Sequence, residues 1–214
     1  MKNTRTPTPR NAWHIGAGSV AVLLLSGCAS LGPGARPAVY DFGPGPMVSA
    51  SAPGNAAAPT LLLEVIDANP ALDSSAMLYR LAYADSQQLQ PYALARWSMT
   101  PSQLLGQRLR EQLGQHYTLL KAGDSSAGAL NLRIELEEFS QLFTAPASSV
   151  GLLRLRATAL QANAAEAQRW VQRSIVVQRS APSADAAGGV RALTQATDAA
   201  LQEINQWLQA LGRL

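Results

Sequence analysis

The sequence predicts an α+β fold, with an antiparallel or mixed β-sheet carrying two amphipathic helices on one face and an extended N-terminal tether ahead of it. Three observations predict this. Apolar and polar residues alternate through three consecutive runs, at 129–139, 151–160 and 169–178, the period-two signature of strands with one buried and one wet face. Two other runs, after Thr100 and at the C-terminal end, repeat apolar residues every three or four positions, as amphipathic helices do. The links between the three alternating runs are too short for crossover helices, so an antiparallel meander fits them.

In chain order, "TLLLEVIDA" (60–68) opens the folded body as a buried strand. "MLYRLAYAD" (77–85) reads as the next strand, with Tyr79, Leu81 and Tyr83 on one face. A turn over the polar "DSQQLQ" (85–90) leads to its hairpin partner "PYALARWSM" (91–99), where Pro91 is tolerable at a sheet edge. Thr100, Pro101 and Gln103 then form a helix start: an N-cap, a first-turn proline and the third-position partner of a capping box. Leu105, Leu109 and Leu113 make the apolar stripe of that helix and Gly114 ends it. "YTLL" (117–120) returns as a strand before the meander. In the meander, Leu130, Leu132, Ile134 and Leu136 oppose Asn131, Arg133, Glu135 and Glu137, while Leu153, Leu155 and Ala157 oppose Arg154 and Arg156. The last helix carries Val190, Leu193, Thr197, Leu201, Ile204, Leu208 and Leu211 in one stripe.

The first 27 residues have the anatomy of an export signal: a basic start with Lys2, Arg5 and Arg10, an apolar stretch of about 11 residues, then Ser26 and Gly27. A spanning helix needs around 20 residues, so this stretch is too short to be one. The only cysteine, Cys28, follows directly. An unpaired thiol in an exported chain has no disulfide partner and would be a reactive liability. Leu25-Ser26-Gly27-Cys28 resembles the lipobox of bacterial lipoproteins, which implies cleavage before Cys28 and acylation of its sulfur and new amine. An ordinary secretory signal with an incidental thiol is the competing account. Ala29, where the enterobacterial pattern for inner-membrane retention has Asp, implies by the same resemblance the periplasmic face of the outer membrane.

Residues 28–59 read as the lipidated tether, since 29–59 hold six of the 13 prolines and five of the 16 glycines, too little apolar surface to offset chain entropy. "VYDF" (39–42) is the exception, an alternating stretch able to pair with a sheet edge. The folded domain is expected over 60–214.

Charge excludes one function class. The chain has 17 basic and 14 acidic side chains, but three basic ones precede Cys28, leaving 17 − 3 = 14 against 14. Nothing in that balance provides the basic patch a nucleic-acid binder needs. No catalytic or metal constellation is visible and no cofactor beyond the covalent lipid is expected. Beyond the signal there is one histidine, His116, and one lysine, Lys121; no nucleophile elbow or phosphate loop occurs. Glu135 and Glu137 read as a solvated strand face. The candidate partner-binding residues are the hairpin aromatics Tyr79, Tyr83, Tyr92 and Trp97, with core packing as the alternative use of the same side chains.

The stretch "YRLAYADSQQLQPYALARWSMTPSQLLGQRLREQL" (79–113) resembles the centre of the ABC-type transport auxiliary lipoproteins, the PqiC-like family. The matching positions are Tyr79, Tyr83, Tyr92, Trp97, Pro101, Leu104 and Leu105, and "VYDFGP" (39–44) resembles that family's entry segment, with Phe42 where Leu is more usual. The resemblance implies a non-catalytic accessory subunit that docks on the MCE-domain component of an ABC system moving lipids or other hydrophobic molecules, possible homo-oligomerisation, and Cys28 as the one functional site carried over. An Ala/Pro-rich insertion at 47–59 departs from the pattern. An assembly lipoprotein that supports or plugs an outer-membrane β-barrel is the alternative. An envelope hydrolase is disfavoured by the lack of a nucleophile motif and a second histidine.

Overall fold

A computed structural model describes residues 35–45, 58–121, 123–124, 129–161 and 169–211. Over these the chain forms β1 (Ala38–Tyr40), β2 (Thr60–Leu63), β3 (Asp67–Ala68), β4 (Ala76–Leu81), β5 (Asp85–Trp97), α1 (Pro101–Leu113), β6 (Thr118–Leu120), β7 (Leu130–Ala145), β8 (Ser148–Gln161), β9 (Arg169–Ser180) and α2 (Ala186–Leu211). The signal-like segment, Cys28 and the insertion up to Ala57 lie outside the described residues. From Pro37 onward the chain belongs to one unit, Pro37–Leu214.

β7 organises the sheet. One of its edges pairs antiparallel with β8 from Asn131 to Ala145, and β8 pairs antiparallel with β9, giving the expected meander. The other edge is shared: β2, β3 and β4 pair with it in parallel, one after another along its length. β5 adds antiparallel to β4, β1 adds parallel to β5, and β6 adds parallel to β2. The sheet is therefore mixed. Its parallel pairs come from segments far apart in the chain, which local periodicity does not report.

Both helices contribute to a single core with the same sheet face. Leu132, Ile134 and Leu136 stand opposite Ala159, Ala157 and Leu155 in register, and these cluster with Leu105, Leu109 and Leu113 of α1 and Leu193, Leu201, Ile204 and Leu208 of α2. Removing each such leucine or isoleucine side chain from water contributes about 1.5–3 kcal/mol before entropy is counted. α1 has the capping box its sequence predicts: Thr100 Oγ1 accepts from the Gln103 amide and the Gln103 side chain accepts from the Thr100 amide. Asp185 caps α2, accepting from the Gly188 amide at 2.7 Å. α2 lies so close to β8 that a Cβ on Gly151 would sit 2.6 Å from the Leu193 nitrogen; a glycine is needed for that approach.

One expectation is corrected. The first hairpin turns at Ala82-Tyr83-Ala84, where the Ala84 amide donates to the Leu81 carbonyl, and "DSQQLQ" is the start of β5. Its polar residues are those of an exposed strand lying beyond the short β1, and a register shift between Arg80 and Leu81 tightens the turn. Tyr83 accordingly leaves the face it would share with Tyr79. In β7, Leu132, Ile134 and Leu136 are buried as the alternation predicts; beyond them a register shift between Leu136 and Glu138 changes the phase and turns Phe139, Gln141 and Phe143 inward.

Candidate functional site

The hairpin aromatics separate into three environments. Trp97 closes β5 and is 1% exposed, its ring 5.8 Å from Phe42 and 5.5 Å from Phe139. Its indole nitrogen has no hydrogen-bond partner among the described residues. Trp97 is thus core, not partner-facing surface. Phe42, in the segment after β1, meets it edge-on at 75°, an arrangement aromatic quadrupoles favour.

Tyr79 and Tyr92 form a half-buried pair across β4 and β5, centroids 4.7 Å apart, with Phe143 set edge-on to Tyr79. Each hydroxyl is committed. Tyr79 donates to Gln90 at 2.8 Å, and Tyr92 donates to Gln141 Oε1 at 2.9 Å. Gln141 is fully buried and its amide donates to Ser149 Oγ at 2.7 Å, so Tyr92, Gln141 and Ser149 form a chain of hydrogen bonds inside the sheet–helix layer. The start of α2 closes over it: a Cβ on Gly189 would run into the Gln141 side chain. A buried amide left unpaired is costly, so this network fixes the hairpin against β7 and α2.

Burial, and then the neighbouring Tyr79, push the Tyr92 hydroxyl up to about 12. It stays protonated across the physiological range, which suits a hydrogen-bond donor and not a base. The elevation also sets a pH dependence. The favourable protonated state is fully present below the ordinary tyrosine value near 10 and its contribution is lost as pH rises through about 12. Thermal unfolding followed from pH 9 to 12 is expected to show a falling melting temperature, and Tyr92→Phe is expected to flatten part of that fall. Tyr117, also raised by burial, supplies another part.

Tyr83 is the one candidate aromatic at the surface, 48% exposed at the hairpin tip. The structure therefore brings Tyr79 and Tyr92 together, inserts Trp97 in the core and leaves Tyr83 outside.

The wet sheet face is tied by ion pairs across strands. Arg156 reaches Glu137 at 2.6 Å and Glu135 at 3.7 Å, Arg80 pairs with Glu138 at 3.2 Å, and Arg133 with Glu64 at 2.8 Å. The glutamates thus have structural partners, as a solvated face predicts. His116 is exposed just past α1. Among the described residues no group of three or more His, Cys, Asp or Glu side chains comes together as a metal site, and no helix is long and apolar enough to cross a membrane.

Two residues carry more than the sequence reading assigned them. Arg108 is 5% exposed; its guanidinium forks onto Asp198 of α2 at 2.8 and 3.2 Å and lies 3.6 Å from Glu111. The signal was available: Arg108 sits three and four positions after Leu105 and Leu104, on the apolar stripe. Gln141 shows in the sequence as the polar break in "FSQLF".

A family model described as "ABC-type transport auxiliary lipoprotein component" matches residues 40–205, from the last residue of β1 into the final turns of α2. Among solved structures, protein XCC0632 from Xanthomonas campestris, assigned to the DUF330 family, is similar at TM-score 0.63 and 21% identity, over 82% of this chain and 97% of that one. An uncharacterized protein is similar at TM-score 0.62 and 11% identity, over 81% and 99%. At these identities the likeness is one of fold. No curated protein matches the chain.

Proposed function

Because the chain belongs to the ABC-type transport auxiliary lipoprotein family, we propose that it works as a non-catalytic, lipid-anchored subunit that docks on the MCE-domain component of its transport system. The family match carries this reading, since it spans the fold from β1 to α2. Cys28 is the acylation site, and the anchor rests in the periplasmic face of the outer membrane. One acyl chain binds a bilayer only marginally at ~0.8 kcal/mol per buried methylene, whereas the several chains of a mature lipoprotein hold firmly. The domain then acts by contact. Tyr83 at the hairpin tip is the most accessible of the candidate contact residues, backed by the rigid Tyr79–Tyr92 pair, and several copies of the chain assemble around the partner. No nucleic acid and no cofactor other than the covalent lipid take part.

Fractionation of cells carrying Cys28→Ser tests the anchor. The wild-type chain is expected in the membrane fraction and the variant in the soluble periplasmic fraction. A Cys28→Ser chain that remains wholly membrane-bound contradicts the anchor.

A further inference from the structure

β9 forms an edge of the sheet: among the described residues it pairs with β8 alone. The β8–β9 ladder runs from Val150–Ser180 to Gln161–Arg169 without a register shift, whereas the β4–β5 and β7–β8 ladders are both interrupted. Bulges, prolines and lysines are the usual guards of a free edge, and residues 169–180 have none of them. The direction of the strand's backbone groups follows from one bond. The Ala181 amide donates to the Ser149 carbonyl at 2.9 Å, one step past the Val150–Ser180 pair, so the odd-numbered residues of β9 turn N–H and C=O toward β8. Trp170, Gln172, Ser174, Val176, Gln178 and Ser180 turn theirs away. Gln178 shows this orientation, since its carbonyl accepts from Arg179 Nη1 of the same strand at 3.0 Å. Trp170 and Val176 are 55% and 56% exposed on the wet face, while Ile175 and Val177 are buried on the other.

We infer that β9 is a seam at which two copies of this chain join edge to edge into one continuous sheet. The charges of β9 decide whether a second copy fits, and they are Arg169, Arg173 and Arg179 alone. A two-fold axis perpendicular to the sheet runs the two copies of β9 antiparallel. It keeps both α2 helices on one side and sets residues of equal parity opposite each other. The registers centred on residues 173 to 176 give the longest overlaps. Centred on Arg173, that residue meets its own copy; centred on Ser174, Arg169 meets Arg179; centred on Val176, Arg173 meets Arg179. Like charges directly opposite are destabilising. Centred on Ile175, no arginine meets another: Arg173 stands opposite Val177 and Arg179 opposite Val171, where arginine stems can cover apolar surface. The same register pairs the outward residues completely, Trp170 with Ser180, Gln172 with Gln178 and Ser174 with Val176, so each outward N–H and C=O meets a partner. Charge and hydrogen bonding thus select one register of one occupant. The seam depends neither on the anchor nor on the docking proposed above.

Sedimentation of the full mature protein in detergent, with hydrogen exchange on the same samples, tests the seam. The wild-type chain is expected to sediment as a dimer that dissociates on dilution. The amides of Ser174, Val176 and Gln178 are expected to exchange about tenfold more slowly in the dimer than in the diluted chain. Val176→Pro removes an outward donor and no bond to β8, a change that an edge strand tolerates. It is expected to be monomeric at every concentration with its melting temperature little changed. Mixing Gln172→Cys chains with Gln178→Cys chains decides the case if the proline variant unfolds. Oxidation is expected to give far more covalent dimer in the mixture than in either variant alone. A wild-type chain that stays monomeric, an assembly that folded Val176→Pro leaves intact, or a mixture that crosslinks no better than its components overturns the seam. A monomer whose outward amides are protected at every dilution has its β9 edge covered by its own chain, and overturns it equally.

Discussion

Trp97→Ala is expected to lower the unfolding free energy by about 3–5 kcal/mol, the range for deleting a large aromatic from a packed core. Trp97 is among the largest fully buried side chains and joins three parts of the fold: β5 that carries it, Phe42 after β1 and Phe139 of β7. Its loss opens a cavity beside Phe42 and Phe139, the two rings it touches, which also meet each other at a centroid distance of 6.1 Å. Trp97→Phe keeps a ring and removes an indole N–H that has no partner among the described residues, so it is expected to cost clearly less. Urea unfolding checks both: a reduced midpoint at unchanged slope is the expected form. A change under 1 kcal/mol for Trp97→Ala would remove Trp97 from the core.

Asp198→Ala is expected to cost about 2–3 kcal/mol. Its partner Arg108 is buried and forked onto both carboxylate oxygens, and hydrogen bonding to Asp198 pushes the guanidinium further into its charged form. Removing the carboxylate leaves that cation, among the described residues, with Glu111 as its acidic partner at 3.6 Å. A fully buried pair broken in this way costs about 3–5 kcal/mol; the expected figure is lower because the Asp198 side chain is 32% exposed and water partly replaces it. Replacing both partners by apolar residues, as in Arg108→Met with Asp198→Leu, is expected to recover much of the loss, since no buried charge is then orphaned. A double-mutant cycle with no coupling between the two positions would mean that the pair does not join α1 to α2.

The sequence was readable where one local signal decides the structure. Thr100, Pro101 and Gln103 mark the start of α1 because capping chemistry is local, and the α2 stripe from Leu193 to Leu211 is long enough for its period to be unambiguous. The "VYDF" alternation correctly marked a segment that pairs with the sheet. The reading failed where a bulge interrupts a period. The shift at Arg80/Leu81 turned the hairpin at Tyr83 instead of within the polar residues of β5, and the shift near Glu137 sets the faces of the second half of β7, which the alternation of 130–137 does not reach. The parallel pairs of β2, β3 and β4 along β7 join residues about 60 to 70 positions apart, and no window of sequence reports them. Of the candidate contact residues, type and spacing identified the aromatic cluster but not its depth. Tyr79, Tyr83, Tyr92 and Trp97 look alike in sequence, and only the registers of β1, β5 and β7 decide that Trp97 lies inside and Tyr83 outside.

The central claim is that this chain serves a transporter by touching it. Photo-crosslinking from position 83 in intact cells, with the captured chain identified by mass spectrometry, tests that claim most directly. The account predicts a single dominant adduct with the MCE-domain component of an ABC system. An adduct with an outer-membrane β-barrel in its place, from a chain that is correctly folded and membrane-bound, would contradict it.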